Sequence, residues 1–113
     1  MNCVFCRIRD GKLPSDMLYQ DEELMAFRDA FPQTPKHVLV VPKRHINCLS
    51  DLTDDDIPMM GRMVKVAIEM AKKEGIAGKG YRLVINCGQE GGQVMPHLHL
   101  HVLGGRQLSG QMG

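Results

Sequence analysis

The sequence predicts an α+β fold: an antiparallel sheet with one long helix and a short N-terminal helix. Three features of the 113 residues carry that expectation. Short apolar segments recur between Gly, Pro and acidic turns, as strands do. One longer segment alone has helical periodicity. The strands mostly follow one another without intervening helices, which favours antiparallel pairing. The length suits a single domain over 1–113.

The elements follow in order. Residues 3–9 form a short helical turn ended by Gly11. "DMLYQ" (16–20) and "LMAFRDA" (24–30) are two strands joined by an acidic turn at Asp21 and Glu22. "FPQTPK" (31–36) is irregular because its two prolines fix φ and remove donors. "HVLVVP" (37–42) is a continuous, β-branched buried strand stopped by Pro42. Thr53 and Asp56 have capping-box spacing, and the acidic run around them suits a helix N-terminus. Met60, Met63, Val64, Ala67, Met70 and Ala71 then repeat at helical spacing and define an apolar face, before Gly75 ends the helix. "YRLVIN" (81–86) is a strand, "CGQEGGQ" (87–93) a glycine-rich turn, and "HLHLHV" (97–102) the last strand, closed by Gly104 and Gly105.

Composition narrows the function. Fourteen basic and 13 acidic residues leave a net charge of +1, and no basic stripe suggests nucleic-acid binding. No apolar run approaches the length of a membrane span. "MNCVFCRIRDGK" turns charged too soon for a secretory signal, so cytoplasmic residence is expected. In that compartment the four cysteines are thiols or ligands rather than disulfides.

Three of the five histidines lie in "HLHLHV". Alternation along a strand puts His97, His99 and His101 on one face, neighbours about 6.5–7 Å apart, with Leu98, Leu100 and Val102 toward the core. A merely polar face would be served equally well by Thr, Lys or Glu. Imidazoles on that face could bind a metal, or one could act as nucleophile while the others position or relay protons. The adjacent glycine turn can expose backbone N–H groups as an anion nest, and Asn86 at its start can orient a polar leaving group. Attack on phosphorus fits this neighbourhood better than a bare metal site. Cys3 and Cys6 have the spacing of a zinc half-site, which His37, His45 or the histidine strand would have to complete. Cys48 and Cys87 have no partner pattern and read as structural.

His97-Leu98-His99-Leu100-His101-Val102-Leu103 resembles the His-φ-His-φ-His-φ-φ signature of the histidine-triad (HIT) superfamily. "AFRDAFPQTPKHVLVVPKRHI", "GYRLVIN", "GGQ" and "HLHLHVLGGRQ" resemble its Hint branch over nearly the whole chain. The resemblance implies a HIT-like fold, a homodimer with a sheet continued between protomers, and a purine nucleotide substrate. It implies hydrolysis of the P–N bond of nucleoside 5′-phosphoramidates such as adenosine 5′-phosphoramidate, through a nucleotidyl-histidine.

By position, the resemblance makes His99 the nucleophile, His101 a phosphate contact and His37 a fourth histidine in the proton network. Asp29 would hold the ribose hydroxyls, Asn86 and Gly92 would line the phosphate site, Gln93 would be a further substrate contact, and Phe5, Ile8 and Phe27 would pack around the base. Zinc-binding members of the superfamily suggest Cys3, Cys6, His45 and His97 as ligands of a structural zinc. His97 thus has two competing roles, ligand and proton relay. The Hint branch usually reads Gly-Gln-Ser before the triad, where this chain has Gly92-Gln93-Val94. The tail "QLSGQMG" also lacks the Trp-containing end of animal relatives. Two other readings stand beside the first: a dinucleoside polyphosphate hydrolase or nucleotidyltransferase, and a nucleotide-binding module with vestigial catalysis.

Overall fold

The computed structural model describes residues 3–112; residues 1, 2 and 113 of the expected domain lie outside them. Helix α1 (Val4–Arg9) leads into strands β1 (Met17–Gln20), β2 (Leu24–Arg28) and β3 (Lys36–Pro42). Two short 3₁₀ turns (Leu49–Asp51 and Asp54–Asp56) precede helix α2 (Ile57–Lys73), then β4 (Tyr81–Val84) and β5 (Leu100–Gly104). The five strands form one sheet in the order β1-β2-β3-β5-β4, and every neighbouring pair is antiparallel. This is the predicted α+β architecture.

Strands β2 and β3 are buried on both faces, which explains their unbroken apolar runs, whereas β5 alternates buried and half-buried residues. Alternation sends Leu24 and Ala26 of β2, Val38 and Val40 of β3, and Leu100 and Val102 of β5 into a core shared with α2. Met25, Phe27, Leu39 and Val41 point the other way and pack with Phe5, Cys3 and Cys6 of the α1 segment. The α1 side is therefore the side on which His37 and His101 emerge from their strands, so the sheet's parity separates an aliphatic core from a polar site.

The capping box forms: the Asp56 carboxylate accepts the Thr53 backbone N–H at 2.9 Å. It closes on the second 3₁₀ turn, which runs directly into α2, with Pro58 in the first turn. At the other end Gly75 adopts φ +77°, and the Ile76 N–H reaches back to the Ala71 carbonyl at 3.0 Å. A left-handed residue after a helix favours glycine.

Two expectations need correction. The buried face of α2 is Met59, Met63, Val66, Ala67, Met70 and Ala71. Met60 is only partly buried against that core, and Val64 is 41% exposed. The helix carries a second apolar stripe, Ile57, Val64 and Ile68, which faces outward, so periodicity alone mixed two faces. The last strand also begins later than expected, at Leu100. Pro96 offers no N–H, the His97 N–H turns back to the Met95 carbonyl at 2.8 Å, and the Leu98 N–H bonds the Ile46 carbonyl at 2.7 Å. His97 and His99 thus lie on an extended lead-in tied to the segment after β3.

A half-buried ion pair joins the sheet to the C-terminal end of α2. Arg28 donates to both carboxylate oxygens of Glu74, at 2.7 and 2.8 Å, and to Asp16 at 2.7 Å. The Glu74 side chain is only 4% exposed, and the Arg28 guanidinium holds its carboxyl below the usual range. Arg28→Ala leaves that buried carboxylate unpaired and should cost about 2 kcal/mol in denaturant titrations at pH 7. The depressed folded value means the contribution is complete above the unfolded value of about 4.3. It is lost as pH falls through the lower folded value, so wild type and mutant should converge in acid.

Candidate active site and metal cluster

The α1 side of the sheet opens into a cleft of about 920 Å³. His37, His99 and His101 line it, with Asp29, Asn86 and Gly92 and the apolar Phe5, Ile8, Phe27 and Val94. Phe5 packs edge-on to Phe27 with centroids 5.7 Å apart and edge-on to His99 at 5.2 Å, so α1 forms one wall. The His99 and His101 rings converge to a centroid separation of 4.8 Å.

Backbone groups dictate the tautomers. A carbonyl oxygen can only accept, so the 2.7 Å contact between His99 Nδ1 and the His97 carbonyl places the His99 proton on Nδ1. Nε2 of His99 is left with its lone pair, on a ring that borders the cleft. A backbone N–H can only donate, so Gln33 N at 3.0 Å makes His37 Nδ1 an acceptor and puts the His37 proton on Nε2. That proton is donated to His101 Nδ1 at 2.9 Å, with Asp29 Oδ2 3.4 Å away. His101 is then protonated on Nε2 and can donate to an anion.

Burial, reinforced by its histidine neighbours, pushes His101 down to about 4. Burial likewise lowers His37, partly opposed by Asp29. The relay is therefore neutral near pH 7, with a defined direction of donation running from Gln33 through His37 to His101.

The glycine turn is a built loop. Asn86 Nδ2 donates to the Gly91 carbonyl at 2.8 Å. At Gly91 any Cβ would meet the Cys87 carbonyl oxygen at 2.2 Å, so glycine is required there. Gln93 does not line the cleft. Its amide donates to the Asn47 and Met95 carbonyls at 2.6 and 3.0 Å and its Oε1 accepts the Gly88 N–H at 3.0 Å. It fastens the loop rather than facing the cleft. Val94 is 87% exposed at the cleft's edge.

His97 departs from its neighbours. It is fully buried and belongs to a second cluster with Cys3, Cys6 and His45, whose ligand atoms all lie within 4.8 Å of one another. Its Nδ1 is 3.2 Å from Cys3 Sγ and 3.7 Å from Cys6 Sγ, and Cys6 Sγ is 3.4 Å from His45 Nδ1. Ligands at about 2.0–2.3 Å from a tetrahedral ion lie roughly 3.3–3.8 Å from one another, so the spacing fits. Both imidazoles present Nδ1 to the cluster and donate Nε2–H outward, His97 to the Pro42 carbonyl at 2.8 Å and His45 to Asn47 Oδ1 at 2.7 Å. Such outer contacts orient metal-binding histidines. With both nitrogens engaged, the His97 ring has no free position for proton relay in the cleft; its carbonyl alone serves that site.

Sequence reasoning missed the groups that set the tautomers. The His97 and Pro42 carbonyls and the Gln33 N–H carry no residue-type signal. Asn47, two residues after His45, carried one.

The model of the HIT domain matches residues 10–108. The purine nucleoside phosphoramidase of Escherichia coli strain K12 is 44% identical over 105 residues, 93% of this chain and 88% of that protein. A HIT family hydrolase from Legionella pneumophila superposes with a TM-score of 0.95 at 43% identity, covering 99% of this chain and 100% of the other. A zinc-bound histidine triad family protein from Mycobacterium smegmatis superposes with a TM-score of 0.80 at 34% identity, covering 94% and 76% of the two chains.

Proposed function

Because this chain belongs to the HIT domain family, we propose that it is a nucleoside 5′-phosphoramidate hydrolase acting through a nucleotidyl-His99 intermediate. The observation that carries the reading is the 2.7 Å contact from His99 Nδ1 to the His97 carbonyl. In the neutral ring it puts the lone pair on Nε2, beside a cleft large enough for a nucleotide. The E. coli phosphoramidase and the Legionella hydrolase support the reaction class.

In this mechanism Nε2 of His99 attacks the α-phosphorus. The P–N bond breaks and the amine departs after gaining a proton from solvent, which the later hydrolysis by water returns. The imidazolium so formed keeps its Nδ1–H on the His97 carbonyl, which stabilises the charge where it develops. Nε2–H of His101 donates to a phosphate oxygen, held in that tautomer by His37. Water then cleaves the His99–phosphorus bond and releases a nucleoside monophosphate. Asp29 Oδ1 already accepts the Phe31 N–H at 2.8 Å, leaving Oδ2 for a ribose hydroxyl. Phe5, Ile8 and Phe27 provide an apolar wall for a purine, and Asn86 and Gly92 border the phosphate.

Cys3, Cys6, His45 and His97 would hold a structural zinc, whose four protein ligands leave no open position for substrate. The ion would fix the His97 segment and hence the carbonyl that orients His99. The zinc-bound M. smegmatis relative supports this assignment. The outward stripe Ile57, Val64 and Ile68 on α2, with β4 at the sheet's edge, supports a homodimer. Among the described residues no helix is long and apolar enough to cross a membrane. The four free thiols suit the cytoplasm.

Release of AMP from adenosine 5′-phosphoramidate, assayed beside a diadenosine polyphosphate, tests the function. Faster turnover of the phosphoramidate is expected. Preference for the polyphosphate would favour the dinucleoside hydrolase reading, and binding without turnover the vestigial module.

Val94 sets a further expectation. It stands where a hydroxyl could help protonate a departing amine, and it is exposed, so Val94→Ser changes chemistry more than packing. The substitution should raise kcat/KM on alkyl phosphoramidates roughly 3- to 30-fold, less than the usual ~10²–10⁴-fold of general-acid assistance because a single indirect hydrogen bond is gained. A nitrophenyl nucleotide ester, with its good leaving group, should change little. Equal changes on both substrates would mean that Val94 acts through binding.

A further inference from the structure

Cys48 and Cys87 take no part in the catalytic cleft or the metal cluster, yet the fold sets the Cys48 segment, which precedes α2, against Cys87, which follows β4, through Ser50. Cys48 precedes the first 3₁₀ turn, and Cys87 opens the glycine loop. Ser50 Oγ lies 3.3 Å from Cys87 Sγ, and Gln93 fastens the loop to the Asn47 carbonyl at 2.6 Å. The two segments border a groove of about 520 Å³ lined by Asn47, Cys48, Gly88, Gly92 and Gln93. Both thiols are partly exposed, so a small oxidant can reach them.

We propose that Cys87 is a hydroperoxide-reactive thiol and Cys48 its resolving partner, together forming a reversible disulfide between the Cys48 segment and the glycine loop. The Cys87 thiolate attacks the terminal peroxide oxygen, the O–O bond breaks, and an alcohol or water leaves with a proton. Cys48 then gives up its proton and attacks the resulting sulfenic sulfur; the S–O bond breaks and water leaves. The net change is two thiols and one hydroperoxide to one disulfide, water and the reduced peroxide.

The environments of the two thiols favour this division of labour. The Ser50 hydroxyl and backbone N–H, with the Cys48 thiol, hold Cys87 below the ordinary thiol range. Cys48 stands above it: the Ser50 backbone lowers it, but burial, the Cys87 thiol and Asp51 outweigh that. The more acidic thiol is the better first nucleophile. The bridge would restrain a loop whose neighbour Asn86 borders the cleft, so oxidation would be felt beside the site without touching its histidines.

The test is peptide mapping of the metal-loaded protein after hydrogen peroxide, with free thiols then alkylated. Trypsin places Cys48 in 45–62 and Cys87 in 83–106, apart from Cys3 and Cys6 in 1–7. The expected product is a 45–62/83–106 linked pair two hydrogens lighter than the separate peptides, cleaved by dithiothreitol. In Cys48→Ser, Cys87 should stop at the sulfenic acid and take up dimedone. Full alkylation of Cys87 after peroxide, absence of dimedone labelling in Cys48→Ser, or oxidation confined to Cys3 and Cys6 would each overturn the proposal.

Discussion

Replacing His99 by Ala lowers kcat by about 10³-fold or more, while AMP binding, measured by titration, changes by less than about threefold. The size of the loss follows from the division of roles among the histidines. In its neutral form His99 turns Nε2 toward the cleft as an acceptor, because the His97 carbonyl holds a proton on Nδ1. In the proposed mechanism affinity comes from other groups that line the cleft: Phe5, Ile8 and Phe27 for the base, and Asp29 for the ribose. Removing a nucleophile eliminates an interaction made only along the reaction path, whereas removing a binding contact mainly raises KM. His101→Ala should show the contrasting pattern, a smaller loss of kcat, because its Nε2–H assists charge on the phosphate rather than forming a bond. An Ala variant at His99 that keeps more than about a tenth of wild-type kcat would mean that water or another residue attacks phosphorus.

The second large effect concerns stability. Metal analysis of protein purified without a histidine tag should find one zinc per chain. Stripping it, or replacing Cys3 by Ser, should lower Tm by on the order of 15 °C, several kcal/mol at the usual entropy of unfolding for a domain of this size. The cluster ties three separate parts of the chain: the α1 segment through Cys3 and Cys6, the segment after β3 through His45, and the triad lead-in through His97. Without a cation, the buried His97, the half-buried His45 and two buried thiols must satisfy one another. Residual turnover per folded molecule should fall far less than thermal stability, since the His97 carbonyl is also held by main-chain bonds around it. A metal content near zero in protein never exposed to chelator would refute the assignment.

The fold was readable wherever apolar pattern and turn chemistry agreed. Pro42, Gly75 and the Thr53–Asp56 box marked real boundaries, and strand alternation put the right residues of β2 and β3 in the core. The helix face was misread at Val64 because α2 has two apolar stripes, and periodicity cannot tell which one meets the sheet of its own chain. The histidine strand was read too long because alternation persists in any extended segment, whereas strand membership depends on partners such as the Ile46 carbonyl. Residue types mark His97, His99, His101 and the Cys3–Cys6 pair as chemical candidates, and the family resemblance adds His37 to the proton network. They could not divide the triad between two clusters, because that division depends on where the His97 ring turns. Gln93 stands among the expected substrate contacts, and its side chain instead spans to Asn47.

The most direct test of the mechanism is the stereochemical course at phosphorus. A nucleoside phosphoramidate made chiral at phosphorus with sulfur is hydrolysed in ¹⁸O-labelled water, and the configuration of the product phosphorothioate is determined. Attack by His99 followed by attack by water gives two in-line displacements and therefore net retention. Inversion would mean that water attacks phosphorus directly, and the nucleotidyl-histidine intermediate would have to be abandoned.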